Sequence, residues 1–272
     1  MKNQYYLEFE NRFRGDQEKV FDLLSMYEPL IDLVIKNNDS SKLLDIGCGR
    51  GELLKKWKYK FASCIGIESD ESMIKKCREY GLSIIEGDAL DRLKDFEDRS
   101  VNVITMFHII EHIEHNKLLQ LIQQCERVLT DNGVLIMETP SIDNLIVSSK
   151  TFHLDHTHIN PINPDGLSFS IEQCGFCKVK YFYLHGGPLQ NDNPLKITRI
   201  LNGVAQDVCI VAAKKEDISD IIFKDNIEWE SHLDSAMSTF DAAIEHDLKL
   251  ESVFNQYNKN QIQTQKILDE YI

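Results

Sequence analysis

Three histidines and an aspartate lie close together in a polar stretch near the middle of the chain. The stretch reads TFHLDHTHINPIN over residues 151–163, and it contains His153, Asp155, His156 and His158. An imidazole can serve as a metal ligand, as a proton acceptor or as a hydrogen-bond partner. The stretch alone therefore leaves a metal site, a catalytic base and a structural loop open.

A glycine-rich segment earlier in the chain indicates a binding site for a cofactor. The segment LLDIGCGRGELL covers residues 43–54 and contains Asp45, Gly47, Gly49 and Gly51. Glycines between a strand and a helix let the backbone approach a ligand closely. A carboxylate just ahead of them opposes a pyrophosphate but attracts the ammonium group of an amino acid. The pattern therefore favours a cofactor that carries an amino acid over a dinucleotide.

Alternating strand-like and helix-like patterns surround both segments. From Lys42 onwards, seven short apolar runs alternate with amphipathic runs, and the last of them is DVCIVAAK at residues 207–214. Such alternation with short connections predicts an α/β fold, a mostly parallel sheet covered by helices on both faces. The last two strand-like runs follow each other without a clear helix between them. We therefore expect an antiparallel pair of strands at one edge of a seven-stranded, Rossmann-like sheet.

The composition excludes several classes of partner. The chain has 30 Lys and Arg against 44 Asp and Glu, a net charge of −14. An acidic surface repels phosphate backbones and anionic headgroups, so we expect no nucleic acid partner and no direct membrane insertion. The seven cysteines are scattered, mostly in apolar surroundings, as is typical of buried thiols in a reducing compartment. The first residues lack the apolar core of a secretory signal, so a cytoplasmic location is predicted.

The last part of the chain differs in composition from the rest. Residues 215–272 contain no Gly and no Pro, and they have 5 Lys against 13 Asp and Glu. Four apolar residues there, Leu233, Met237, Phe240 and Ile244, follow the 4-3-4 spacing of a coiled-coil seam. We expect a C-terminal coiled-coil helix that joins copies of the chain into a homo-oligomer. A helix that packs back on its own domain is the alternative.

Two further acidic positions make the glycine-rich segment resemble the class I S-adenosylmethionine-dependent methyltransferases. Glu68 ends the second strand-like run, CIGIES, and Asp88 follows the third in EGDAL. The resemblance implies that Glu68 holds the ribose hydroxyls and that Asp88 contacts the adenine amino group, with Ala89 packing nearby. It also implies S-adenosyl-L-methionine as the cofactor, with an NAD-linked dehydrogenase as the alternative.

Six segments together resemble a narrower group, the methyltransferase domains of bacterial O-antigen chain terminators. They are YYLEFENRFRG, LDIGCGRGELL, FHIIEHI, METPSIDNLIV, FHLDHTHINPINPDGLSF and NGVAQDVCIVAAK. The resemblance implies that a pair of aromatic residues near the start covers the cofactor and that the histidine-rich loop faces the acceptor. The cofactor-binding residues implied in this way are Tyr5, Tyr6, Asp45, Gly47, Gly49, Glu68, Ser69, Met73, Asp88, Ala89 and Phe107.

The narrower resemblance implies an enzyme that ends the growth of a polysaccharide by methylating its non-reducing end. The sequence has no kinase signature of the type HRD…N followed by DFG, so we expect methylation of a terminal sugar hydroxyl. A phosphate made by a separate kinase, a small-molecule acceptor, and a coiled-coil scaffold with a vestigial cofactor site are the alternatives. The expected partners are the O-antigen acceptor and a polymerising glycosyltransferase, which would bring the protein to the inner face of the inner membrane.

Transfer to a sugar hydroxyl calls for a base, since a hydroxyl is a poor nucleophile at neutral pH and a positioned base contributes roughly 10²–10⁴-fold. The candidate catalytic residues are His108, after the fourth strand, and His156 and His158 in the loop. In an extended segment the latter two would point to one face, with His156 favoured. Methyl transfer to oxygen does not require a metal ion, and we expect none.

Three segments are expected along the chain. Residues 1–39 carry apolar residues at helical spacing and are predicted to form a helical cap over the cofactor site. Residues 40–214 are predicted to form the methyltransferase domain. Residues 215–272 are the predicted oligomerisation segment.

Overall fold

The structure of the chain is a computed structural model. It describes residues 8–9, 12–13, 17–36, 38, 40–223 and 228–270. Tyr5 and Tyr6, the aromatic pair predicted to cover the cofactor, lie outside the described residues, so their predicted role stays a prediction.

A seven-stranded sheet forms the centre of the molecule. Its strands are β1 Lys42–Ile46, β2 Ser63–Glu68, β3 Ser83–Glu86, β4 Val101–Phe107, β5 Leu129–Pro140, β6 Lys178–Gly186 and β7 Ala205–Ala213. The strand order is β3-β2-β1-β4-β5-β7-β6. The first five strands pair in parallel, and β7 runs antiparallel to both β5 and β6. The predicted fold class, including the antiparallel edge, is confirmed.

Helices cover both faces of this sheet. They are α1 Gln17–Leu24, α2 Glu28–Val34, α3 Glu52–Trp57, α4 Glu71–Glu79, α5 Ala89–Leu93, α6 His115–Val128, α7 Pro164–Gln173, α8 Ile197–Asn202, α9 Glu216–Ile222, α10 Glu228–Leu233 and α11 Thr239–Glu270. The short α8 lies between β6 and β7, where the sequence predicted no clear helix. Among the described residues, none of the helices is both long and apolar enough to span a bilayer.

Alternation along the strands divides the core between the two faces. Val103 and Ile104, neighbours in β4, belong to opposite clusters because successive side chains of a strand point to opposite sides. One cluster includes Tyr27 just before α2, Trp57 of α3 and Trp229 of α10. The other cluster contains the apolar side of α6. The sheet is thus buried on both faces and holds its strand ends rigidly.

The segment after Lys214 is divided into a core-packed part and a long exposed helix. Leu233 lies in α10 and is fully buried, whereas Met237 lies in a non-helical connection before α11 begins. The predicted continuous seam from Leu233 to Ile244 is therefore wrong. Leu233 packs on the domain core, whereas Phe240 and Ile244 are exposed on α11, so the four residues do not share one helix face. The C-terminal helix itself is present.

Candidate active site

Three cavities lie at the carboxyl ends of the parallel strands, where β1 is flanked by β2 on one side and β4 on the other. This reversal of strand order is the usual place for a ligand in an open α/β sheet. Cavity A measures about 260 Å³, cavity B about 200 Å³ and cavity C about 320 Å³. His112 lines all three, and His108 lines both A and C. The cavities thus meet at these two side chains.

The predicted cofactor residues that the structure describes gather around cavities A and B and a small cleft beside them. Gly47, Glu68 and Ser69 line both cavities. The rest are divided among the walls: Gly49 and Met73 line cavity A, Asp88 and Ala89 line cavity B, and Asp45 and Phe107 line the cleft. The nine described residues of the prediction therefore surround one continuous region.

The glycine loop between β1 and α3 passes close to its neighbours. Gly47 and Gly49 have φ of 68° and 53°, in the left-handed region that favours glycine. A Cβ added to Gly47 would come within 2.8 Å of the Ile109 side chain. A side chain at position 47 would therefore collide with Ile109, which lines cavities A and B, so the close passage of the loop depends on glycine there.

Glu68 organises the loop from the end of β2. One carboxylate oxygen accepts hydrogen bonds from the N–H groups of Ser69 and Asp70, at 2.8 and 2.9 Å. The other oxygen accepts from the N–H of Gly49 at 2.8 Å. Three of the four lone-pair sites of this carboxylate are thus taken, and the oxygen that binds Gly49 keeps one with which to accept a bond from a ribose hydroxyl.

Two more acidic groups border the same region. Asp45 is buried at the end of β1, and one of its oxygens accepts a 2.7 Å hydrogen bond from the Thr105 hydroxyl. Asp88 caps α5 by accepting from the N–H of Leu90, and its other oxygen lies 2.6 Å from the Lys117 ammonium. Both carboxylates are therefore held in place before any ligand arrives.

Cavity C has a polar floor centred on Glu138 near the end of β5. One Glu138 oxygen lies 3.2 Å from His108 Nε2 and 3.4 Å from His185 Nε2, and the other accepts a short hydrogen bond from the Tyr27 hydroxyl. Burial opposes ionisation of Glu138, but the two imidazoles outweigh it and hold its pKa well below the usual range. Burial likewise opposes the charge on His108, but Glu111 and Glu138 raise its pKa well above normal. His108 is therefore protonated at neutral pH and cannot accept a proton there.

The two imidazoles that face Glu138 come from strained backbone positions. His108 and His185 both have φ of 53°, a left-handed conformation that few residues other than glycine adopt. Backbone strain of this kind costs of the order of 1–3 kcal/mol and concentrates at functional sites. The fold thus tolerates two unfavourable conformations to bring these side chains together.

Asp207 completes the floor of cavity C. It lies in β7, paired with Pro140 of β5 and Leu184 of β6, so it stands beside the Glu138 cluster. Burial raises its pKa to about 6, helped by Glu138 and opposed by His108. A carboxylate with this pKa is suited to accept a proton near neutral pH.

The structure separates the two loop histidines that the sequence treated together. The His156 side chain is 70% exposed and does not belong to the lining of cavity C. His158 is 13% exposed and lines the cavity. The loop is not an extended strand here, because a turn at Asp155 and Thr157 interrupts it.

Sequence reasoning did not assign Glu138, His185 or Asp207 to the site. These residues come from three strands that are distant in the sequence, so no local motif joins them. Glu138 and His185 nevertheless stand near the end of an apolar run, and Asp207 stands at the start of one that runs antiparallel, so all three lie at the edge where the parallel strands end. This position at the ligand-binding edge of the sheet is the sequence signal that could have identified them as site residues.

Comparison with known proteins identifies the family. A family model described as a methyltransferase domain matches residues 17–181, more than half of the chain. The chain belongs to this methyltransferase family. Its cofactor is S-adenosyl-L-methionine, in agreement with the prediction, and the dehydrogenase alternative is excluded. The site fits this cofactor. The glycine loop lets the backbone approach a ligand closely, and the carboxylates of Glu68 and Asp88 are held in fixed orientations by hydrogen bonds.

Individual relatives support the methyltransferase assignment. A SAM-dependent methyltransferase from Archaeoglobus fulgidus has 30% sequence identity and a TM-score of 0.67, covering 77% of this chain and 100% of its own. A probable S-adenosylmethionine-dependent methyltransferase of Mycobacterium tuberculosis is 25% identical over 150 residues, 55% of this chain and 54% of the relative. A ubiquinone biosynthesis O-methyltransferase of Vibrio vulnificus is 24% identical over 200 residues, 65% of this chain and 82% of the relative. The chain spans about half the length of the mycobacterial relative.

Proposed function

We propose that this methyltransferase transfers the methyl group to oxygen, and that its acceptor is a terminal sugar hydroxyl of a bacterial O-antigen. The observation that carries the proposal is the floor of cavity C, where Asp207 and Glu138 lie next to the cofactor region. A hydroxyl acceptor needs a group that takes its proton, and this floor offers one. The sequence resemblance to the chain terminators supports the choice of a polysaccharide.

The charge of cavity C favours a neutral acceptor over a phosphate. Among its described lining residues are the carboxylates of Glu138, Asp155 and Asp207. Among the described residues of its lining there is no lysine or arginine, so its only cations are imidazoles that already face carboxylates. A terminal phosphate would be repelled by these groups and would find few free donors.

The residues of cavity C would assist the reaction in distinct ways. S-adenosylmethionine supplies a methyl group bonded to a positively charged sulfur, which leaves as a neutral thioether. We assign to Asp207 the acceptance of the hydroxyl proton while the oxygen forms its new bond to the methyl carbon. His108, held protonated between Glu111 and Glu138, would keep the Glu138 carboxylate ionised, while burial keeps the pKa of Asp207 raised against the opposing charge of His108. Positioning of the acceptor against the methyl group would supply much of the remaining rate.

A small phenolic acceptor is the second candidate, because one wall of cavity C is strongly apolar. Side chains of α1 and of the residues before it form this wall, among them Phe9, Phe13 and Leu23. Such a wall suits an aromatic ring as well as the face of a sugar. The Vibrio vulnificus relative is named as a ubiquinone biosynthesis enzyme, which adds weight to this alternative.

Incubation with radiolabelled S-adenosylmethionine and a panel of acceptors tests the proposal. The panel contains synthetic oligosaccharides with a free terminal hydroxyl, the same oligosaccharides with a terminal phosphate, and a catechol. We expect label in the free-hydroxyl oligosaccharides alone. Label in the catechol alone would establish the second candidate, label in the phosphate form alone would overturn the neutral-acceptor argument, and transfer to none of them would refute both acceptor classes.

A further inference from the structure

Glu111 presents a buried carboxylate oxygen without a hydrogen bond. Its side chain is fully buried, and Oε2 accepts a 3.0 Å bond from the Thr139 hydroxyl. Oε1 has no hydrogen-bond partner among the described residues. The nearest imidazole nitrogens, His108 Nδ1 and His158 Nε2, lie 3.5 and 3.9 Å away. A buried carboxylate oxygen with no partner closer than these two rings is poorly satisfied, so its retention calls for a ligand.

Two imidazoles next to this oxygen have their proton positions fixed by neighbouring groups. His158 Nδ1 lies 2.6 Å from the carbonyl oxygen of Phe152, which can only accept, so Nδ1 carries the proton. His112 Nδ1 lies 2.8 Å from the Thr157 hydroxyl, which donates its own proton to Asp155 at 2.6 Å. His112 must therefore also be protonated on Nδ1. Both rings are left with a lone pair on Nε2.

This arrangement matches the support that protein metal sites give their histidine ligands. A ligating imidazole usually donates its other N–H to a carbonyl, a carboxylate or a hydrogen-bonded chain that ends in one. Here the carbonyl is that of Phe152, and the chain is Thr157 followed by Asp155.

The distances between the donor atoms permit a common ion. One donor atom each of Glu111, His112 and His158 lies within 4.8 Å of the others. Bonds of about 2.1 Å in a tetrahedral site place ligand atoms roughly 3.4 Å apart, so small side-chain movements suffice. Asp155 Oδ2, 4.0 Å from His158 Nε2, brings a second carboxylate near the same point. Two carboxylates beside two imidazoles favour a dication.

We propose that Glu111, His112 and His158 bind one divalent transition-metal ion of the Zn²⁺ type in the wall between cavities A and C. Two imidazoles and one carboxylate are ligands that such ions accept readily, and they leave a coordination position for a further oxygen. This proposal reverses the expectation from sequence that no metal takes part. If the acceptor is a hydroxyl, as the proposed function holds, the ion would bind that oxygen and lower its pKa.

Metal titration of the purified full chain tests the site without any acceptor. After dialysis against a chelator, isothermal titration with Zn²⁺ should show one ion per chain, and Co²⁺ should give visible ligand-field absorption. His158→Ala and Glu111→Gln should weaken binding by more than the roughly 10–100-fold that loss of a supporting partner costs. Thr157→Val, which removes only the hydroxyl that holds His112, should weaken it by about 10–100-fold.

The control is His153→Ala, an exposed histidine of the same loop. It should bind Zn²⁺ as the unmodified protein does. Retained S-adenosylmethionine binding and an unchanged circular dichroism spectrum show that each variant is folded. Thr157→Val leaves Glu111 in place, so it keeps the test decisive even when Glu111→Gln fails to fold.

Two results would overturn the metal site. One is the absence of stoichiometric Zn²⁺ binding by the unmodified protein, and the other is binding by folded His158→Ala and Thr157→Val as tight as that of the control. Stoichiometric binding without methyl transfer to any hydroxyl acceptor would leave the metal site standing and refute the proposed acceptor instead. The two proposals therefore fail through different measurements.

Discussion

Asp207 is faced by titratable groups from each neighbouring strand end: His108 after β4, Glu138 in β5 and His185 in β6. With a pKa of about 6, it becomes a carboxylate as the pH rises through that value, and only the carboxylate can accept a proton. We expect kcat/KM to rise with pH through about 6 and then level off. Asp207→Asn should remove this dependence and lower kcat by roughly 10²–10⁴-fold, as measured by steady-state kinetics across pH.

The control for this prediction is Asp131→Asn, at an exposed aspartate far from the cavities. It should leave the rate and its pH dependence unchanged. If His158→Ala abolishes the pH dependence while Asp207→Asn keeps it, the loop histidine is the base, as the sequence proposed.

Glu68 carries a second prediction at this scale. Its carboxylate joins the glycine loop to the end of β2, and the resemblance gives it the ribose hydroxyls. Hydrogen bonds to a charged group contribute about 1.5–3 kcal/mol, so Glu68→Gln should raise the Kd for S-adenosylmethionine roughly 10–100-fold. Isothermal titration measures this change, and Glu86→Gln, at an exposed glutamate ending the next strand, is the matched control. Equal affinity of the two variants would contradict the ribose assignment.

The sequence predicts the cofactor-binding part of the site better than it predicts the floor of cavity C. Asp45, Glu68 and Asp88 follow successive strands at short, regular intervals, so the pattern of the chain is enough to place them together. Glu138 and Asp207 meet only because β7 inserts antiparallel beside β5. That pairing depends on the whole sheet, and no local spacing encodes it.

At the scale of elements, α9 and α10 extend the domain beyond Lys214. Trp229 in α10 is buried, and its indole N–H donates a 2.7 Å bond to the carbonyl of Ile222. Its ring packs against Phe182 of β6 and Phe223. Truncation of such a side chain leaves a cavity and an open carbonyl.

Trp229→Ala should therefore lower the free energy of unfolding by about 3–5 kcal/mol. Urea denaturation followed by circular dichroism measures the loss. Tyr59→Ala, at an aromatic residue that is 88% exposed, should change stability little. Equal stability of the two variants would mean that α10 is dispensable to the domain.

The secondary-structure elements were predicted best where the apolar spacing and the positions of the turns agreed. In β1 to β5 the apolar runs are short and bounded by turns, so strand and helix could be told apart. After Lys214 only the apolar spacing was available, and a helix packed on a core shares that spacing with a coiled coil. The break before Thr239 therefore escaped prediction.

At the scale of the whole molecule, α11 presents a large apolar surface that the other described residues leave uncovered. Its first turns are tied to the domain by an ion pair between Glu245 and Arg199 at 2.6 Å. Beyond them, large apolar side chains are exposed along the helix, namely those of Leu248, Leu250, Val253, Phe254, Tyr257, Ile262, Ile267 and Leu268. We propose that this helix joins copies of the chain, since an isolated helix would leave this surface in water.

Replacement of Leu250, Phe254 and Tyr257 by glutamine tests this assembly. These residues follow the 4-3 spacing of a seam, so their loss should reduce the mass measured by light scattering to that of one chain. The control replaces Glu251, Asn255 and Asn258 by alanine and should keep the assembled mass. A single-chain mass for the unmodified protein would refute self-association through this helix.

The left-handed histidines of cavity C have a consequence for how this protein would evolve. At positions 108 and 185 the backbone would be relaxed by glycine or asparagine, so folding and chemistry prefer different residues. Selection of a mutant library for heat resistance alone should therefore enrich glycine or asparagine at both positions. Selection that also demands methyl transfer should restore histidine. Sequencing of the survivors from the two selections would show how much His108 and His185 contribute to activity and how much they lower stability.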